Sequence, residues 1–136
     1  MTKSIWHVFG PSKQINRPQM CISMINNYDK TKLIYADSKN GEITRKVYVD
    51  FTDGIESFRK SRTINRCDDF VDINATKNWI FISEDSDYLN WTLERAIYNK
   101  EELNCKHYLF VTDEEIIEIL SSAPPTIIVE YINKPA

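Results

Sequence analysis

Two stretches of the chain, WIFISEDS at 79–86 and YLFVTDEE at 108–115, follow one scheme: an apolar run, a hydroxyl residue, then paired carboxylates. If both runs are parallel strands, Glu84, Asp85, Asp87, Asp113, Glu114 and Glu115 collect at one sheet edge, where open α/β sheets hold ligands. Carboxylates and water suit magnesium, and a metal-dependent phosphohydrolase or nuclease needs such a set. Helix capping accounts for the same residues more simply. Acids in a first helical turn are favoured by the dipole, by ~0.3–1 kcal/mol each, beside N–H groups that lack partners. No base, cation or nucleophile accompanies either cluster at a catalytic spacing. Capping is therefore preferred, no metal or cofactor is expected, and the chain is not expected to be an enzyme.

The remaining chemistry-bearing residues are sparse. His7 and His107 fall in strand-like segments without a second ligand at metal spacing. Cys67 or Cys105 with His107 does not make a nucleophile–base pair, because positions two apart on a strand with Lys106 between them form no such constellation. Arg59, Lys60, Arg62 and Arg66 form a basic run without interleaved aromatics. A small nucleic-acid-associated factor is one alternative, but a solvated face or an internal counter-ion patch fits the run better, so direct nucleic-acid binding is not favoured.

The elements that must position these residues fit one domain, 1–136, with 42% hydrophobic and 27% charged residues. No apolar run approaches the ~20 residues of a membrane helix. The start MTKSIWHVFGPSK lacks a long apolar core, and Cys21, Cys67 and Cys105 are odd in number with no C-x-x-C pair. A cytoplasmic chain with reduced thiols is expected. Residues 1–66 carry 12 Lys/Arg and 6 Asp/Glu, a charge of +6, and residues 67–136 carry 5 and 14, a charge of −9. The two halves either present an oriented field to a partner or neutralise one another.

In the first half SIWHVF (4–9), CISMINNY (21–28), KLIYADS (32–38) and EITRKVYVDF (42–51) read as strands. Asn40-Gly41 between the last two predicts a hairpin, since both residues tolerate positive φ. Asp53 is placed as the cap of a short helix with Ile55 and Phe58 inward. In the second half NWIFIS (78–83), KHYLFVT (106–112) and TIIVEYI (126–132) read as strands. Leu89, Leu93, Ala96 and Ile97 recur at helical spacing between the first two. Thr112 and Glu115 form a capping box ahead of Ile116, Ile119, Leu120 and Ala123, ended by Pro124 and Pro125. The fold expected is a mixed α/β single domain, with antiparallel N-terminal hairpins followed by a β-α-β-α-β C-terminal half.

On a helix over 87–102 with Leu89 inward, Asp87, Trp91, Glu94, Tyr98 and Glu102 fall on the outer side. Two large aromatics alternating with acids make a candidate interface, because Trp and Tyr are enriched among binding hot spots. The next helix places Glu114 and Glu118 outward, a like-charged pair that a basic partner turns to attraction. The competing assignment buries Trp91 and Tyr98 under 62–77, with the acids facing RKSRTINR.

The closing segment HYLFVTDEEIIEILSSAPPTIIVEY (107–131), and the small, acidic, Asn-, Ile- and Lys-rich build, resemble immunity proteins of bacterial contact-dependent growth inhibition systems. The resemblance implies a one-to-one inhibitor of a cognate toxin domain, often a basic nuclease, held by electrostatic and aromatic contacts. The expected partner is a protein and not a membrane. The basic first half confines that picture to residues 67–136.

Overall fold

The computed structural model describes residues 5–27, 29–63, 77–95 and 104–132. Within them the chain forms nine strands and one α-helix: β1 (Ile5–Val8), β2 (Met20–Asn27), β3 (Lys30–Lys39), β4 (Glu42–Phe51), β5 (Ser57–Arg62), β6 (Ile80–Asp85), α1 (Asp87–Arg95), β7 (Lys106–Val111), β8 (Glu115–Ser121) and β9 (Thr126–Tyr131). A five-stranded sheet runs β1-β6-β7-β8-β5 and a four-stranded sheet runs β2-β3-β4-β9. Every pairing is antiparallel. The expected hairpin is present, with Asn40 at φ 54° and Gly41 at φ 80° between β3 and β4.

The sheets pack face to face over one core. Leu33, Tyr35, Val47, Val49 and Phe51 come from the four-stranded sheet, and Ile80, Tyr108, Phe110, Ile117 and Ile119 from the other. Rings interlock across the gap, with Phe51 5.6 Å from Tyr108, and Tyr35 4.8 Å from Trp79 at the entry to β6. Their tilted and edge-on angles are those that the ring quadrupole favours. Trp79 is fully buried and its Nε1 donates to the Ile15 carbonyl at 3.1 Å, so the largest core residue leaves no indole N–H unsatisfied.

The expected β-α-β-α-β half is not formed. β6 and β7 pair antiparallel, and β7 and β8 follow as a hairpin. The helix expected after Thr112 is strand β8. The local hydrogen bond behind the capping box is real, since Thr112 Oγ1 accepts from Glu115 N at 3.3 Å. Thr112 N also donates to Glu115 O at 3.1 Å, which closes a two-residue hairpin loop at Asp113-Glu114 instead of opening a helix. Ile116 and Leu120 mimic a helical stripe only because β8 is buried on both faces, with Ile117 and Ile119 in the inter-sheet core and Ile116, Glu118 and Leu120 on the opposite face. The short helix expected at Asp53 is also absent; Phe58 lies in edge strand β5 and is exposed. Helix α1 forms where the sequence places it. Residues 96–102 of the expected helix, and with them Tyr98 and Glu102, lie outside the described part. No helix among the described residues is long and apolar enough to cross a membrane.

Candidate functional site

Antiparallel pairing of β6 and β7 separates the two acidic clusters. Ser83 pairs with His107 near the start of β7, and Ile80 pairs with Phe110 near its end. Glu84 and Asp85 therefore stand at one end of the sheet, and Asp113 and Glu114 at the other. A joint carboxylate metal site is not formed, and no group of three or more metal-ligating side chains occurs among the described residues. The second cluster meets cations of the first half, with Arg17 Nη2 3.0 Å from Asp113 Oδ1 and Lys60 Nζ 3.1 Å from Glu115 Oε2, while Glu84 Oε1 of the first cluster lies 3.3 Å from Lys106 Nζ. Within β5, Arg59 and Lys60 thus face acids of β8, which makes the basic run in part an internal counter-ion patch. Arg66 lies outside the described residues.

The largest departure concerns Glu118. It was expected outward on a helix but is wholly buried on the outer face of the five-stranded sheet. The cross-strand register places it opposite Arg59 on β5 and Leu109 on β7. Arg59 grips it with both Nε and Nη2, the latter 2.9 Å from Oε1, and His107 Nε2 stands 3.0 Å from the same oxygen. Burial alone raises the carboxyl pKa, but the contacts from His107 and Arg59 outweigh it and hold Glu118 at about 2. Glu118 is a structural ion and leaves the list of partner contacts.

His107 continues the network. Its Nδ1 lies 2.6 Å from Ser86 Oγ, and that oxygen also accepts the backbone N–H of Leu89 at 3.1 Å as the N-cap of α1. Ser86, His107 and Glu118 share the residue types of a hydrolytic relay, but the serine faces Nδ1 and the acid faces Nε2. None of the three is more than 2% exposed. No substrate carbonyl reaches a hydroxyl that is buried and already accepting a capping bond. The arrangement docks the helix instead. Tyr88, in the first turn of α1, shares a hydrogen bond with Ser57 and lies under the Arg59 guanidinium, whose Cζ is 4.2 Å from the ring centroid. Tyr88 and Leu89 pack on Leu120.

A helix pinned by this network presents its other side outward. Trp91 is 55% exposed, and residues 64–76, the bulk of the alternative cover, lie outside the described part. Arg95 donates to the Trp91 carbonyl at 3.0 Å and lies 4.3 Å from the indole centroid, bracing one face of the ring. Asp87 and Glu94 are exposed beside it. Asp85 extends the acidic surface toward the helix start, where Asn90 Nδ2 donates to its Oδ1 at 3.0 Å. At the same sheet end a depression of about 450 Å³ is lined by Ile5, His7, Ile82, Glu84 and Asp85. Glu114 is exposed, but at the far end of the sheet beside Asp113. Of the seven expected contact residues, the structure brings Asp87, Trp91 and Glu94 together on α1, places Glu114 apart and Glu118 inside. The residues that hold the helix, Arg59, His107, Ser86 and Tyr88, were not legible as a set, because register across 59 positions joins Arg59 to Glu118. Comparison with protein-family models, curated proteins and solved structures gave no match.

Proposed function

We propose that the protein acts by binding, as an immunity-type inhibitor that neutralises a cognate basic toxin domain through the outer side of α1. The observation that carries this reading is Trp91: a large aromatic, more than half exposed, on a helix whose inner side is locked by a buried ion network. An exposed Trp whose orientation is already fixed loses little freedom on association, and indole rings desolvate well at interface centres. Asp87 and Glu94 flank it with negative charge that steers a basic partner and sets register. The acidic–aromatic character and the resemblance of 107–131 to growth-inhibition immunity proteins support the same assignment.

The test is growth rescue. The C-terminal domain of a large secreted protein encoded next to this chain is expressed with and without it. The reading expects growth arrest relieved by this chain and a stable one-to-one complex of the purified proteins. Arrest that persists, with no complex formed, contradicts it.

A further inference from the structure

Among the described residues four strand edges terminate the two sheets, and three of them carry devices that discourage pairing with another chain. β1 has only four residues and a register shift between Ile5 and His7. β2 shifts register between Cys21 and Ser23. β5 lines its edge with Arg59, Lys60 and Arg62. Bulges, short strands and charge are the usual protections of exposed edges. β9, the fourth edge, has neither a bulge nor a basic residue, and its one charged side chain is Glu130. Its six residues, TIIVEY, pair with β4 in unbroken register, contain no cation or proline, and expose Ile128 by 62% and Tyr131 by 71%.

The direction of its free backbone groups follows from one bond. Ile132 N donates to Thr44 O at 2.9 Å, in line with the register Arg45↔Tyr131. Antiparallel ladders alternate, so positions 126, 128 and 130 bond to β4, and Ile127, Val129 and Tyr131 point their N–H and C=O groups away from it.

We propose that β9 is a homodimerisation edge, pairing antiparallel with β9 of a second copy about a two-fold axis at Ile128. The sequence is self-complementary in that register. Ile127 and Val129 of one copy exchange backbone hydrogen bonds with Val129 and Ile127 of the other, using the groups that point outward. On the outer face Ile128 meets Ile128, and Glu130 meets Thr126, so no like charges oppose one another. The Ile34–Tyr48–Ile128 row on the exposed sheet face becomes continuous across the axis. Moving the axis to Val129 sets Ile128 against Glu130 and loses this match. The two four-stranded sheets merge into one of eight strands. A pair of ~20 Å strands buries an area at or below the ~1,200 Å² low end of specific interfaces, so the dimer is a weak one. This assignment is independent of how α1 is used.

Sedimentation velocity of the full chain from ~1 to ~200 µM reads the association directly. The proposal expects a concentration-dependent dimer, weakened tenfold or more by Ile128→Lys, which sets two cations face to face at the axis on a side chain that is exposed in the monomer. Ile128→Cys reads the register independently. Residues opposite one another at a non-hydrogen-bonded position have Cα atoms ~4.5 Å apart, within disulfide range. Mild oxidation is expected to join position 128 to itself, located by peptide mass spectrometry, and this arm decides if the lysine variant loses its circular dichroism. A wild-type chain that stays monomeric at ~200 µM overturns the proposal, as does a dimer that Ile128→Lys leaves intact or that yields no 128–128 link. Amides of β9 protected from exchange only when a different protein is added assign the edge to that protein and equally overturn the second-copy reading.

Discussion

Replacing Glu118 with Gln keeps the side-chain volume and removes the charge that Arg59 and His107 enclose. The carboxyl is wholly buried, and its pKa lies near 2 against an ordinary value of 4.5. A folded pKa below the unfolded one means that the unfolded chain binds the proton more readily, so this group contributes stability above pH ~4.5 and loses it as pH falls toward 2. The depression corresponds to ~3 kcal/mol at neutral pH as an upper figure. Breaking a buried pair costs ~3–5 kcal/mol when the remaining ion is stranded. Here Arg59 is 43% exposed and rehydrates, so Glu118→Gln is expected to cost ~2–3 kcal/mol at pH 7. Urea denaturation of both proteins at several pH values measures it. By linkage the difference falls to less than half by about pH 3. Glu94→Gln on the exposed side of α1 serves as control and is expected within ~0.5 kcal/mol of wild type. A Glu118→Gln effect below ~0.5 kcal/mol at pH 7, or one that is constant from pH 6 to 3, refutes the charged, enclosed carboxylate.

Two further expectations follow from local geometry. Gly41→Ala meets no atom within 4 Å, yet φ is +80° there, so the ~1–2 kcal/mol loss expected in chemical denaturation reports backbone strain alone; an unchanged midpoint contradicts the positive-φ turn. The half-buried Cys105 thiol is raised to about 11 by burial and by the nearby Glu56 charge. It is expected to alkylate at least tenfold more slowly at pH 7 than an unstructured thiol peptide, followed by mass spectrometry; rapid labelling of the folded chain contradicts that environment.

Strands β1–β4, β6, β7 and β9 and the β3–β4 turn were readable because they depend on residues near in sequence: Asn40-Gly41 carries its own φ preference, and β4 alternates from Val47 to Phe51, whereas β5 and β8 were read as helical. The second half misled for a physical reason. β7 and β8 lie between the inter-sheet core and the apolar outer face around Leu109 and Ile116, so both strands lack the wet face that normally marks antiparallel partners. Continuous apolar runs then read as parallel strands or as a helix. The hydroxyl and acid spacing of 112–115 serves a hairpin turn as readily as a helix start, because both bond an oxygen to an N–H three residues on. Helix α1 was legible from Leu89 and Leu93 at helical spacing, while its Ser86 cap emerged only from the structure. Whether Trp91 faces solvent was not legible, since it depends on which sheet face the helix covers. The burial of Glu118 follows only from register with β5.

The most direct test of the central claim is the affinity of the proposed toxin partner for the Trp91→Ala protein, with folding checked by circular dichroism and melting. The residue is 55% exposed, so the variant is expected to melt like wild type while binding weakens by ~2–4 kcal/mol, roughly 30- to 1,000-fold, mainly through faster dissociation. A folded Trp91→Ala protein that binds the proposed partner with unchanged affinity contradicts the assignment of α1 as the contact surface.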